Sequence, residues 1–176
     1  MVEKKSYIFK ILAVGVRSSG INSLISSFGA KAIVGTIQQS LGVDFFTKKV
    51  IIDENTVVYL QFWVMYQKAG FFFSAFLDRA QGLMFIFDVT NKNTFNPLSK
   101  WIIDARKKLP NDNIPIFIVG NKSDLPNREI QFEKAEELCQ SSGGTYVNYM
   151  SVRTGQNVEA MFAILAELVL SNHLQS

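Results

Sequence analysis

The stretch Ile114-Pro115-Ile116-Phe117-Ile118-Val119-Gly120-Asn121-Lys122-Ser123-Asp124-Leu125 is an apolar run that stops at a glycine and then presents an amide, an ammonium and a carboxylate. A short run of β-branched and aromatic residues reads as a strand buried on both faces, the kind found in parallel sheets covered by helices. Polar residues placed directly after such a strand stand at the carboxyl edge of an open α/β sheet, where ligands bind. A carboxylate such as Asp124 can accept two parallel hydrogen bonds from a ring with adjacent N–H and NH2 donors, as guanine has and adenine has not. Asn121 is suited to holding the neighbouring loop or a purine N7, and the Lys122 stem to covering a ring face. The plainer reading of the same residues is a helix-capping turn with Asp124 as the cap.

A second strand-to-loop junction lies near the start. Ser6 to Gly15 becomes continuously apolar at Ile11-Leu12-Ala13-Val14 and delivers the chain to Gly15-Val16-Arg17-Ser18-Ser19-Gly20-Ile21-Asn22-Ser23. A phosphate-cradling loop has the form G-x-x-x-x-G-K-[ST]. Its glycines let backbone N–H groups converge on phosphate, its Lys bridges the terminal phosphates and its hydroxyl meets magnesium. Gly15 and Gly20 have that spacing, but Ile21 stands at the Lys position and Asn22 at the hydroxyl position. Losing a charged donor to phosphate costs about 1.5–3 kcal/mol per bond, with Arg17 and Ser18 as the side chains available to compensate in part. An ordinary Gly-Ser turn between strand and helix is the alternative.

Composition narrows the class. The chain has 176 residues with 48% hydrophobic content, which suits one domain, and its 15 Phe predict an aromatic core. A net charge of +3, with Lys and Arg scattered among acids, gives no footprint for nucleic acid. Cys139 is the single cysteine, so no disulfide forms within the chain and a reducing, cytoplasmic setting is expected. No apolar run approaches the roughly 18 residues of a membrane span.

With Phe87-Asp88-Val89-Thr90, Thr94-Phe95, Trp101, Gly42-Val43-Asp44-Phe45, Thr154-Gly155-Gln156-Asn157-Val158 and Met161-Phe162, the chain resembles the small GTPases of the Ras superfamily over nearly its whole length, the Rab branch most closely. The resemblance implies an α/β fold: a single P-loop-NTPase-type G domain over residues 1–176, with a six-stranded, mostly parallel sheet, one antiparallel edge strand and helices on both faces. It implies GTP or GDP as ligand. Asn121, Lys122, Asp124 and the backbone of Ser151-Val152-Arg153 would hold the base, and Gly15, Arg17, Ser18, Ser19, Gly20, Ile21, Asn22 and Ser23 would surround the phosphates. A first-switch hydroxyl falls on Ser40 or, further upstream, Thr36. Asn22 and Ser40 are weak candidates for magnesium.

The departures from the family lie at one end of this site. Where the family has Asp-Thr-Ala-Gly-Gln, with Asp on magnesium, Gly sensing the terminal phosphate and Gln orienting water, this chain reads Val64-Met65-Tyr66-Gln67-Lys68. Magnesium is therefore expected to be weak or absent. Gln67 and Arg17 remain as weak catalytic candidates. The apolar segment Gly70-Phe71-Phe72-Phe73-Ser74-Ala75-Phe76-Leu77 reads either as fixed core or as a protein-partner surface. Asn172 to Ser176 contain no cysteine for the prenyl group that the resemblance to Rabs implies, so no encoded lipid anchor is expected in this chain. A fragment, one unit of a tandem protein, or a role without membrane cycling would account for that. Two functions follow: a guanine-nucleotide-binding Rab-like domain with little or no hydrolysis, in signalling or vesicle traffic, or a nucleotide-free pseudo-GTPase scaffold.

Overall fold

The computed structural model describes residues 4–28, 30–31, 43–66 and 73–175. Strand β1, Lys5–Gly15, leads through a 3-10 turn at Arg17–Ser19 into helix α1, Ile21–Phe28. A two-residue strand β2, Ala30–Lys31, precedes the long hairpin of β3, Val43–Ile51, and β4, Thr56–Tyr66. Helix α2, Phe73–Leu77, is followed by β5, Gly82–Asp88, then by α3, Lys92–Phe95, and α4, Leu98–Arg106. The chain ends with β6, Ile116–Asn121, α5, Phe132–Ser142, β7, Tyr146–Tyr149, and α6, Val158–Leu174.

The sheet order is β2-β3-β4-β1-β5-β6-β7. The six expected strands run parallel except β3, which is antiparallel to β4, and the short β2 adds a further antiparallel pairing outside β3. Every residue of β5 and β6 is buried, as their unbroken apolar runs require. Their side chains alternate between two cores. Met84 and Ile86 join Ile21, Leu24, Ile25, Met161 and Phe162 under α1 and α6, whereas Leu83, Phe85 and Phe87 join Phe95, Leu98, Ile102 and Leu138 under α3, α4 and α5. The aromatic expectation holds, with Phe46 stacked on Phe62 at 4.4 Å and Phe87 edge-on to Phe95 at 4.8 Å.

Two boundaries differ from what the residue pattern alone predicts, which is a single amphipathic helix from Thr94 to Leu109 and a strand from Thr56 to Val64. The single helix predicted from Thr94 to Leu109 is split in two at Asn96-Pro97, because Pro97 has no N–H to donate to the preceding turn. Strand β4 continues two residues beyond Val64 to Tyr66, which pairs with Gly15 and so brings a tyrosine to the carboxyl edge. Of the apolar segment 70–77, Phe76 and Leu77 are core residues, with Phe76 packed against Trp63 at 5.9 Å, while Ser74 and Ala75 are exposed. Gly70 to Phe72 lie outside the described residues, as do Thr36, Ser40, Gln67 and Lys68. No described helix is long and apolar enough to cross a membrane.

Gly120, one residue before the site, has no room for a side chain. A Cβ there would fall 2.7 Å from the Tyr149 ring and 2.8 Å from Val89 Cγ1, and the Tyr149 hydroxyl is held between the Ile130 and Gln131 carbonyls. Gly120→Ala should therefore cost about 1–3 kcal/mol by overpacking. The denaturant midpoint should fall with an unchanged slope; an unchanged midpoint would show that the Tyr149 ring yields.

Candidate functional site

The carboxyl edge gathers the β1–α1 loop, the residues after β6 and the residues after β7. Asn121 binds them together. Its Nδ2 donates to the Ser19 carbonyl at 3.0 Å, and its Oδ1 accepts from the Val152 N–H at 3.1 Å. Gly20, at φ 87°, sits so close that a Cβ would lie 2.2 Å from Asn121 Nδ2, so this position requires glycine for both conformation and space. The Val152 N–H, part of the backbone expected to hold the base, is engaged by Asn121.

Lys122 adopts a left-handed conformation, φ 65°, and its Nζ meets Asp88 Oδ2 at 2.5 Å. Burial pushes the Asp88 carboxyl up, but Lys122 and the Thr90 hydroxyl and N–H outweigh it and hold it below the usual carboxylate range. Asp124 is also held below that range, first by the Ser151 hydroxyl and then by Arg153. Its Oδ1 accepts from Ser151 Oγ at 2.5 Å, and its Oδ2 from Arg153 Nε at 2.9 Å and Nη2 at 2.5 Å. The Arg153 side chain is 72% exposed, so a pair of this kind contributes only about 0–1 kcal/mol and yields readily to a ligand. Asn121, Lys122, Asp124, Arg153, Gly20 and Ser23 line a cavity of about 380 Å³. A larger cavity, about 590 Å³, is lined by Ile8, Lys10 and His173 among others and holds none of the site residues.

The phosphate end is built differently. Among the described residues no acceptor faces the N–H groups of Ile21, Asn22 and Ser23, so the backbone nest at the start of α1 is open. The Ile21 side chain, however, is fully buried beside Leu24 and Ile25. Val64 is fully buried in that same core and offers no oxygen. Asn22 Oδ1 is engaged by the Tyr66 hydroxyl, which also reaches Asp44 Oδ2 at 2.5 Å. Arg17 lies over the Tyr66 ring at 4.4 Å. Ser19 Oγ is buried without a partner among the described residues, and Ser18 is exposed. Tyr66, Asp44 and the Arg153 pairing to Asp124 are contacts that sequence reasoning missed; a tyrosine ending an apolar strand beside the loop was the available signal for the first.

A family model described as the Ras family matches residues 10–171. The chain belongs to the Ras family. It is 31% identical over 179 residues to the Ras-related protein Rab7 of Drosophila melanogaster, an alignment that covers 97% of this chain and 84% of that protein. It is a Rab-like small GTPase by kinship.

Asn121→Ala would leave the Ser19 carbonyl and the Val152 N–H unpaired in a buried setting. A loss of about 1–3 kcal/mol in unfolding free energy is expected, measured by chemical denaturation without nucleotide; no loss would mean that the loops hold without the bridge. Asp88 and Asp124 both have depressed pKa values, so the stability they add is present above the unfolded value near 3.9 and disappears as pH falls through the lower folded values. Lys122→Met removes the cation that holds Asp88 low, so acid unfolding should begin at a higher pH than in the unmodified chain. An unshifted acid transition would show that the pair does not set it.

Proposed function

We propose that this chain is a single Rab-like domain that binds guanine nucleotide through its base end in the cytoplasm, with little or no magnesium, and does not turn GTP over. The observation that carries this reading is that Ile21 and Val64, at the places of the phosphate-bridging Lys and the magnesium-holding Asp, are both fully buried in one apolar core. Neither side chain can turn toward a ligand without leaving a cavity behind. With Val64 buried and Asn22 tied to Tyr66, the described side chains at these places do not supply the shell of available oxygens that a divalent cation needs.

The base end supports ligand binding. Asp124 stays ionised and faces a cavity large enough for a purine, with Asn121 and Lys122 beside it. Guanine would displace the Arg153 guanidinium, which offers the carboxylate the same kind of adjacent N–H donors. The Asn22 to Ser23 end of the nest and the Arg153 backbone would then line the ligand. Phosphoryl transfer depends on positioning and charge neutralisation, and the bridging Lys and the magnesium carboxylate are both replaced by core residues. Arg17, packed on the Tyr66 ring, does not replace the metal's charge. The second reading, a nucleotide-free scaffold, is favoured by the fact that both Asp124 oxygens already have partners within the chain.

Two outcomes are expected. GDP and GTP should bind in a titration while ATP does not, and Asp124→Ala should erase the difference; equal affinity for ATP and GTP would sink the base assignment. Incubation of GTP with excess protein should yield no GDP above background, with Arg17→Ala unchanged. Turnover that the Arg17 substitution abolishes would make the chain an unconventional enzyme.

A further inference from the structure

Tyr66 stands at the end of β4, opposite Gly15, the first residue of the loop before α1. Its hydroxyl reaches Asn22, the second residue of α1, and Asp44 on β3, and its ring lies under the Arg17 guanidinium at 4.4 Å. One side chain thus ties together the loop, the helix start and two strands. A phenol has one proton and cannot serve two acceptors at once. The group is fully satisfied when the hydroxyl donates to the Asp44 carboxylate and Asn22 turns its amide N–H toward the phenol oxygen. Burial, followed by the Asp44 bond and charge, pushes the phenol above its ordinary pKa, so it remains a neutral donor at physiological pH.

The position of this cluster has a consequence for ligands. In a G-x-x-x-x-G-K-[ST] loop, backbone N–H groups hold the inner phosphates, while the Lys and the hydroxyl that follow it mark the terminal phosphate and its metal. Ile21 and Asn22 occupy those two places, and Tyr66 is bonded to Asn22. The ring therefore lies at the terminal-phosphate end, bonded to the Asp44 carboxylate and covered by the Arg17 guanidinium, while Ile21 leaves the place of the bridging cation uncharged. The bulk of the ring opposes a third phosphate there, while the N–H groups of Ile21 to Ser23 have no acceptor among the described residues and the Asp124 cavity lies at the other end of the site.

We propose that Tyr66, backed by Asp44, is a specificity-determining residue that narrows the terminal-phosphate end and limits the affinity of the site for guanine nucleotides longer than the diphosphate. The limit on phosphate length rests on the guanine-binding reading above; the narrowing itself does not.

The test titrates GDP and GTP, without metal, into the unmodified chain and into Tyr66→Ala, Tyr66→Phe and Asp44→Asn. The unmodified chain should bind GDP about tenfold or more tightly than GTP, a difference of about 1.4 kcal/mol. Tyr66→Ala should bring the two affinities together, and Tyr66→Phe and Asp44→Asn, which keep the ring but loosen its tether, should fall between. Equal affinities in the unmodified chain, or a ratio that Tyr66→Ala leaves unchanged, would overturn the proposal. A second arm adds inorganic tripolyphosphate to nitrogen-15-labelled protein and follows the amide signals of Gly20 to Ser23, whose spectrum also reports that each variant is folded. Signals that move in Tyr66→Ala and stay still in the unmodified chain support the narrowing even if no variant binds GDP or GTP, in which case the guanine reading alone falls. Tripolyphosphate responses that are the same in both proteins overturn the narrowing whatever the nucleotides do.

Discussion

The Asn121 side chain is the constraint on which the carboxyl edge depends. One amide donates to the Ser19 carbonyl and accepts from the Val152 N–H, so it joins segments that lie 102 and 31 positions away in the chain. These loops leave three different strands and have no sheet pairing with one another. A buried amide with both of its faces used is worth more than its net hydrogen-bond energy suggests, since removing it strands two backbone groups at a cost of about 1–3 kcal/mol. The requirement for glycine at position 20 and the placement of Ser151 next to Asp124 both follow from the closeness that this bridge imposes.

From that common frame the two ends of the site diverge because their residues are used differently. At the base end, polar side chains satisfy one another: Lys122 with Asp88, and Asp124 with Ser151 and Arg153. Such pairs can be exchanged for a ligand at small cost, above all the exposed Arg153 pair. At the phosphate end, the equivalent positions have been drawn into the core. Ile21 and Val64 pack in the same apolar cluster as Leu24, Phe62 and Met84, and the Asn22 side chain is tied to the Tyr66 hydroxyl. Burial of this kind is not reversed by a ligand, because exposing each aliphatic side chain again costs about 1.5–3 kcal/mol.

Much of this was legible in the sequence. The unbroken apolar runs of β5 and β6, the glycine spacing of the first loop and the Asn-Lys-Ser-Asp stretch each carry a local signal of strand-to-loop junctions at one sheet edge, and the resemblance to the Ras superfamily rests on these with the motifs around Phe87, Gly42 and Thr154. What escaped was the reach of β4. Val64, Met65 and Tyr66 are all good strand formers, and where the strand ends is decided by its partner β1, which pairs with it as far as Gly15. The contact of Tyr66 with Asn22 and Asp44 spans 44 and 22 positions and leaves no pattern in any window of sequence. The Arg153 pairing to Asp124 escaped for the same reason, since it is formed between two loops and not within one element.

The account's central claim is that the base end can work without a metal-centred phosphate end. The most direct measurement is the affinity for GDP of the purified chain in excess magnesium and again in excess chelator, by equilibrium titration. Affinities that agree within about threefold, a difference of less than 1 kcal/mol, are what the burial of Ile21 and Val64 requires. Loss of GDP by orders of magnitude on chelation would contradict it and would mean that a magnesium site is assembled from residues other than those at the positions of the family's metal ligands.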